Sequence, residues 1–247
     1  PVGLVRTLSG YLVLVFLQDN RTYTTLIARP SGDRQLAALR FPAAYDAACR
    51  AIPGLAEWVD DDRGTPITPV LPGGRLYNTY RGQTGGADRV PLPGLIHLGD
   101  AVCTTNPTAG RGIALALRQA ERLVRDLHDH AGDPAAAALA FDTWCETNVR
   151  PWYDDHVYWD ADILRRWAGG DVDVTRPLPS DLILEAAQHD RSLMRVAGPF
   201  MGMEVLPSAL AEIEPQARAL FAGGWRPAPH PGPTRAELAE LVSGVRR

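Results

Sequence analysis

The distribution of apolar residues predicts β-strands in the first part of the chain. Two runs rich in Val, Leu, Ile and Thr, at residues 11–18 and 22–28, flank an Asp19-Asn20 turn signal and so predict a β-hairpin. Two shorter runs, at residues 67–70 and 75–80, flank a Pro-Gly-Gly turn and predict a second pair of strands.

Helical periodicity dominates elsewhere. Residues 34–60 carry two short helical patterns that prolines separate. Apolar residues spaced by three and four predict a long helix over residues 112–130. The apolar stripe of this helix consists of Ile113, Leu117, Ala120, Val124 and Leu127. Further helices are predicted over residues 134–150, 152–167, 182–188, 191–203 and 208–220. Thr234, with Glu237 three residues on, forms a capping-box signature that predicts a last helix.

The order of these elements predicts an α+β fold that contains the remnant of an α/β unit. Residues 1–92 form a β-containing region with helices, residues 93–132 form one strand-loop-helix unit, and residues 133–247 form a helical region. The strand of the middle unit is the short apolar run at residues 95–98, which is of the type found in buried strands.

Composition narrows the class of protein. With 45% hydrophobic and 22% charged residues, the chain has the balance of an ordinary globular protein. A formal net charge of −4 gives no support to a nucleic-acid or anionic-membrane partner. No apolar run reaches the roughly 18–20 residues that a bilayer span needs. The three scattered cysteines form neither a disulfide framework nor a zinc-ligand pattern, so we expect a cytoplasmic protein without a metal site.

The start of the chain is unusual for a domain. Residue 1 is Pro and not Met, and sequence typical of a strand inside a domain begins at Leu4. No stretch near the start resembles a signal peptide. We therefore expect the chain to be a piece of a longer protein.

The stretch from residue 95 to residue 112 has the pattern of a ligand-binding loop. A buried strand is expected to end at Gly99-Asp100, a loop of small and hydroxyl-bearing residues follows, and Gly110-Arg111-Gly112 opens the long helix. Ligands bind beyond the carboxyl ends of strands in α/β sheets, and a helix N-terminus offers unpaired N–H groups. Glycines let a flat or anionic group approach the backbone, and a carboxylate can accept hydrogen bonds from hydroxyl groups. From the residues alone, a plain strand-to-helix turn, in which the aspartate satisfies backbone donors, is an equal alternative.

The same stretch resembles the second FAD-contacting motif of the flavoprotein aromatic hydroxylases and their relatives. Their pattern is an apolar strand, Gly-Asp-Ala, a short loop with proline, Gly-x-Gly, and a helix rich in small residues. The matching positions here are Gly99, Asp100, Ala101, Pro107, Gly110 and Gly112. The resemblance is strong over residues 90–125, only architectural over residues 1–89, and vague beyond residue 130.

The resemblance implies an FAD-dependent oxidoreductase, and within that class a monooxygenase of a small organic substrate such as an aromatic compound, with NAD(P)H as candidate electron donor. It implies that Asp100 bonds the ribityl or pyrophosphate region and that residues 107–112 approach the flavin ring. The cofactor-binding residues implied are Gly99, Asp100, Ala101, Pro107, Gly110, Arg111 and Gly112. No catalytic residue is identified, since the flavin itself carries the redox chemistry. Residues 1–92 would then be the substrate-type region, and residues 93–132 the second half of the FAD-binding unit.

Three positions depart from the family pattern. Cys103 stands where many members have His, Asn106 precedes Pro107 where Pro-Pro is common, and Gln119 stands where an Asp is frequent. These departures suggest a divergent branch and leave the substrate open. A halogenase, a reductase or a dehydrogenase stays possible within the class.

The Gly-x-Gly-x-x-Gly fingerprint that binds the ADP half of FAD in this family does not occur in the sequence. We therefore expect these residues alone to bind FAD weakly or not at all, and to be inactive. The alternative from another class is a non-catalytic binding or oligomerisation module that retains a flavoprotein-like fold. The oligomeric state is left open.

Other candidate groups favour structural roles. The His156 region, with several aspartates nearby in sequence, favours a solvated helix face over a metal site. For Arg81 a surface position, for His97 a core position and for Cys103 a packing role are favoured over roles in binding or catalysis. A group of aromatic residues favours core packing over a wall against an aromatic substrate. Its members are Trp144, Trp152, Tyr153, Tyr158, Trp159 and Trp167.

Overall fold

A computed structural model describes residues 3–74, 77–84 and 89–245. The molecule is an α+β protein in which helices predominate and the sheets are small. The strands of the described residues are β1 Leu4–Leu8, β2 Tyr11–Leu17, β3 Tyr23–Ala28, β4 Thr79–Tyr80 and β5 Cys103–Thr104. Their α-helices are α1 Pro42–Ala51, α2 Pro53–Ala56, α3 Gly112–Asp129, α4 Pro134–Asn148, α5 Arg150–Trp167, α6 Ser180–His189, α7 Met194–Met201, α8 Glu214–Ala222 and α9 Arg235–Gly244.

The chain divides into two compact units. Unit 1 comprises Pro1–Arg75, Ile163–Asp171 and Arg226–Arg247, and unit 2 comprises Leu76–Asp162 and Val172–Trp225. The chain passes between the units at residues 75–76, 162–163, 171–172 and 225–226, and the division after residues 92 and 132 stays a prediction.

Unit 1 is built on an antiparallel sheet with the strand order β1-β2-β3. Leu12 pairs with Ala28 and Leu17 pairs with Tyr23, which confirms the predicted hairpin. The central strand β2 is an uninterrupted apolar run, and Tyr11, Val13 and Val15 on one of its faces are fully buried. Residues on its other face are buried as well, as expected of a strand with apolar side chains on both faces.

The helices of unit 1 cover the face of the sheet that carries Tyr11. A 3₁₀ helix, Gln35–Arg40, precedes α1, and α9 packs against both. The predicted capping box is present, since the side chain of Thr234 accepts the N–H of Glu237 while Glu237 accepts the N–H of Thr234. The terminal helix is further held by an ion pair between Arg235 and Asp33, at 2.7 Å.

Unit 2 has two helical cores. Helices α3 and α4 pack together, and Val102, Phe141 and Cys145 are buried in a core near them. Helices α6, α7 and α8 form the larger core, with Phe200 and Phe221 among its buried members. Strands β4 and β5 form a small antiparallel ladder. The helices predicted over residues 112–130, 134–150, 152–167 and 182–188 are confirmed with small shifts at their ends. Those predicted over residues 191–203 and 208–220 are each divided into a 3₁₀ helix, Arg191–Leu193 or Pro207–Glu212, and the α-helix that follows it, α7 or α8.

The predicted strand pair at residues 67–70 and 75–80 is wrong. Residues 67–70 are irregular, and Ile67 is 74% exposed. Pro66, Pro69 and Pro72 follow each other at intervals of three, and each removes a backbone donor that a ladder needs. Of the second run, residues 75 and 76 lie outside the described residues, and only Thr79 and Tyr80 form a strand.

The predicted buried strand at residues 95–98 is also wrong. These residues form no ladder, and Leu95 and Leu98 are 52% and 38% exposed. No described strand lies beside them to supply backbone partners. The apolar stripe of α3 is likewise exposed at Ile113, Leu117, Val124 and Leu127. None of the helices within the described ranges is long and apolar enough to span a membrane.

Candidate functional site

Gly99 and Asp100 lie in a tight turn that packs on α3. Leu98 is extended, and residues Gly99–Ala101 then form a single 3₁₀ turn in which Gly99 has a φ of 59°. A Cβ atom at Gly99 would lie 3.4 Å from the Cβ of Ala116, in the second turn of α3. Glycine therefore suits this position both because of its left-handed conformation and because the helix is close.

Two buried glutamines replace the strand neighbours that this loop lacks. The side-chain amide of Gln83 donates to the carbonyl of His97 at 2.9 Å and accepts its N–H at 2.8 Å, as a neighbouring strand would. Gln119 on α3, only 1% exposed, accepts the N–H of Gly99 at 3.0 Å. Asp142 on α4 in turn accepts the N–H of Gln83 at 2.7 Å. The backbone that leads to Asp100 is therefore held by side-chain hydrogen bonds instead of by a neighbouring strand.

The carboxylate of Asp100 is exposed and has no hydrogen-bond or ion-pair partner among the described residues. Its backbone carbonyl accepts the hydroxyl of Thr104 at 2.8 Å and the guanidinium of Arg81 at 3.3 Å. Arg81 is itself exposed, which agrees with the surface position expected from the sequence. The turn is thus held through its backbone, and the carboxylate is free to accept hydrogen bonds from a ligand.

Asn106 anchors the loop before α3. Its side chain accepts the N–H of Thr108 at 3.0 Å, and its amide donates to Asp160 on α5. Asn78 completes the network, since it accepts the N–H of Asn106 at 2.8 Å and donates to Asp160 at 2.6 Å. The loop thus gains from hydrogen bonds the stiffness that a Pro-Pro pair would supply. No local pattern in the sequence points to Asn78 or Asp160 as partners.

The N-terminus of α3 is open. Gly110 has a φ of 68°, and neither Gly110 nor Gly112 has an atom within 4 Å of an added Cβ position. No side chain of the described residues caps the first N–H groups of this 18-residue helix. The backbone there can therefore be reached by a flat or negatively charged group, and the helix dipole favours negative charge.

The side chain of Arg111 turns away from that opening. It is only 9% exposed and pairs with Asp155 at 2.7 Å. Its guanidinium lies 4.8 Å from the ring centre of Trp152 and 4.9 Å from that of Phe200. Arg111 therefore offers a ligand its backbone and not its charge. The buried Trp152, stacked on Phe200, agrees with the core role expected of the aromatic group.

His156 lies beside the same network. It is 1% exposed, neither ring nitrogen has a hydrogen-bond partner in the described part of the chain, and Nε2 lies 3.7 Å from Asp160. Burial lowers its pKa below the ordinary value of 6.5, against the raising effect of the carboxylate of Asp160. The imidazole is therefore neutral at pH 7. The sequence had suggested a solvated face here, and the burial of His156 contradicts that expectation.

The cysteine of the loop has no reactive character. Cys103 is 6% exposed, and burial raises the pKa of its thiol to about 11, so the protonated form dominates at neutral pH. It packs with Val102 and Phe141, which agrees with the packing role expected from the sequence. Across the described residues, no three His, Cys, Asp or Glu side chains are grouped so that they could hold a metal ion.

The predicted site residues thus form two neighbouring features of unit 2. Residues Gly99–Ala101 form a turn with an exposed carboxylate against α3, and residues Pro107–Gly112 lead into the open N-terminus of the same helix. Gln83, Gln119 and Asn106 hold these features in place. This chain matches no protein-family model, no curated protein and no solved structure.

Proposed function

We propose that this chain forms the part of an FAD-dependent oxidoreductase that faces the flavin ring. The observation that carries the proposal is the uncapped N-terminus of α3, where Gly110 and Gly112 leave open space next to the backbone. Within the class we propose a monooxygenase of a small organic substrate that takes electrons from NAD(P)H. That choice is supported by the sequence resemblance over residues 90–125 alone.

Each residue has a defined task in this proposal. FAD, when bound, supplies the electron transfer and the oxygen chemistry. The turn Gly99–Ala101 would hold the ribityl chain through hydrogen bonds from its hydroxyl groups to Asp100, and the backbone of residues 110–112 would hold the flavin ring. The positive end of the α3 dipole stabilises negative charge there by about 0.3–1 kcal/mol. Arg111 acts through its ion pair with Asp155 by fixing the first turn of the helix.

The exposed apolar surface of unit 2 is compatible with this function. Ile113, Leu117 and Val124 on α3 are at least two-thirds exposed, and the extended Leu98 follows no paired strand. In this proposal a nucleotide-binding part outside these 247 residues covers the surface and holds the ADP half of FAD.

The second candidate is a non-catalytic binding or oligomerisation module. The same exposed stripe favours it, since contiguous exposed apolar surface marks interaction sites in soluble proteins. In that case the chain would self-associate through α3 and would not distinguish a flavin from any other aromatic compound.

Titration with FMN distinguishes the two functions. FMN carries the isoalloxazine ring and the ribityl chain without the adenylate, so it probes only the groups assigned to this chain. We expect saturable quenching of FMN fluorescence by the intact protein. Gly112→Leu should weaken binding at least about tenfold (about 1.4 kcal/mol), because the added side chain occupies the space that the ring needs.

Gly244→Leu is the matched control, since Gly244 is also an exposed helical glycine with open space around its Cβ position. Circular dichroism verifies that both variants fold. If FMN binds equally well to Gly112→Leu and to Gly244→Leu, the flavin function is rejected. Concentration-dependent association without FMN binding would support the interaction module instead.

A further inference from the structure

Unit 1 contains a cavity of about 360 Å³ far along the chain from the candidate flavin site. It lies between the 3₁₀ helix Gln35–Arg40, the first turn of α1 and the end of α9. Its volume falls within the range of about 300–1,000 Å³ that is typical of small-molecule sites. Its walls combine apolar groups, such as Ala44 and Val242, with polar ones.

The polar groups of the cavity are cationic. Arg34 and Arg40 both line it, and no Asp or Glu is among its lining residues in the described part of the chain. Neither arginine has a carboxylate partner among the described residues, whereas others, such as Arg50, do. The guanidinium of Arg40 lies 4.9 Å from the ring centre of Phe41, and this stacking limits its movement.

The backbone adds to the positive character of one wall. Helix α1 has ten residues, begins with Pro42 and has no side-chain cap among the described residues. The N–H of Tyr45 donates to the carbonyl of Phe41, which leaves the N–H groups of Ala43 and of Ala44, a lining residue, without a helical partner. The last turn of α9 contributes Val242 and Ser243 to the lining. The cationic side chains and these unpaired N–H groups suit the cavity to an anion.

We infer that this cavity binds a small organic anion through Arg34 and Arg40. The ligand carries a carboxylate or a phosphate, because the planar fork of a guanidinium bonds two oxygens of such a group at once. Unpaired cations in a concave site also concentrate positive potential on a chain whose formal net charge is −4. The site does not depend on the flavin function, since all its residues belong to unit 1.

Calorimetric titration of the intact chain with inorganic phosphate and with succinate tests the inference. Chloride keeps the ionic strength constant, and the two probes distinguish a phosphate site from a carboxylate site. We expect saturable binding of at least one probe with one site per chain. Arg34→Gln and Arg40→Gln should each weaken it at least tenfold, and Arg40→Lys should weaken it less than Arg40→Gln, since the charge remains.

Arg21→Gln is the matched control, because Arg21 is an exposed arginine of unit 1 with no ion pair among the described residues. It should bind the probe as the unmodified chain does. Absence of saturable binding of both probes would overturn the inference. Equal affinities in the pocket variants and the unmodified chain would also overturn it, because Arg34 and Arg40 would then not contact the anion. An equal loss in Arg21→Gln would overturn it as well, because only the overall charge would then matter.

Discussion

At the scale of single residues, His156 combines deep burial with two unpaired ring nitrogens. Burial lowers its pKa below 6.5; Asp160 and Asp155 act in the opposite direction, and Arg111 lowers it further. The unfolded chain, with an ordinary pKa of about 6.5, therefore takes up the proton first as the pH falls. The free energy of unfolding should decrease from about pH 6.5 downwards until the folded pKa is reached, and His156 should have no effect above that window.

We predict that His156→Phe removes this part of the pH dependence. Urea unfolding at pH 7.5 and pH 5.5 measures it. The unmodified chain should lose up to about 1.4 kcal/mol per pH unit more than the variant while the folded imidazole stays neutral. The exposed His128, changed to Gln, serves as control and should leave the loss unchanged. Equal losses in His156→Phe and in the unmodified chain would show that the imidazole is charged in the folded state.

Gln119 connects the turn at Gly99 to α3 through a single buried amide. Gln119→Leu leaves the N–H of Gly99 without its acceptor, and an unmade hydrogen bond of this kind costs about 1–3 kcal/mol. We therefore predict faster hydrogen exchange at Gly99 and a lower free energy of unfolding. Gln188→Leu changes an exposed glutamine on α6 and should alter neither quantity. Unchanged exchange at Gly99 in Gln119→Leu would remove Gln119 from the positioning of the loop.

At the scale of elements, α9 is held to unit 1 mainly by its apolar face. Leu238 is fully buried against α1 and the 3₁₀ helix, whereas Leu241 on the same helix is 38% exposed. We predict that Leu238→Ala lowers the free energy of unfolding by about 2–5 kcal/mol. Leu241→Ala should cost less than about 1 kcal/mol. Equilibrium unfolding measures both, and similar costs would mean that α9 is not part of the core.

The elements that the sequence predicted correctly are those with a local signal. The hairpin of β2 and β3 and the long helix α3 each follow from a period in the sequence, and the start of α9 follows from its capping box. The strand predicted at residues 95–98 does not form, because a strand also needs neighbouring strands with which to pair. Such neighbours come from distant parts of a sequence, and none lies beside these residues in the described part of the chain. The hydrophobic period of a segment does not show which other strand, if any, pairs with it.

The contacts that shape the candidate site join residues far apart in the sequence. Asn78 and Asn106 meet on Asp160, which lies 54 residues beyond Asn106. The pairing of Arg111 with Asp155 likewise spans 44 residues. No spacing rule connects such residues, so the motif predicted the start of α3 at Gly112 but neither the inward direction of the arginine side chain nor the polar network.

At the scale of the whole molecule, the proposal divides the contacts to FAD into two sets. This chain contacts the flavin half, and a part outside these residues contacts the adenylate half. In the proposed function the residues of this chain contact only the isoalloxazine ring and the ribityl chain, and no part of the sequence has the fingerprint that holds adenosine diphosphate. FAD and FMN should therefore bind this chain with affinities within about threefold of each other, or about 0.7 kcal/mol. Both should be lost on desalting.

Parallel titrations with FMN, FAD and AMP measure this ratio, and AMP should neither bind nor compete with FMN. An affinity for FAD that exceeds the affinity for FMN a hundredfold, together with retention of FAD on a desalting column, would contradict the prediction. Because 1.4 kcal/mol corresponds to a factor of ten, such a preference would require about 2.8 kcal/mol of interaction with the adenylate half. That energy needs specific contacts, so this result would place an adenylate site within these residues. The FMN titration of Gly112→Leu would then be the only test of whether α3 contacts the flavin ring.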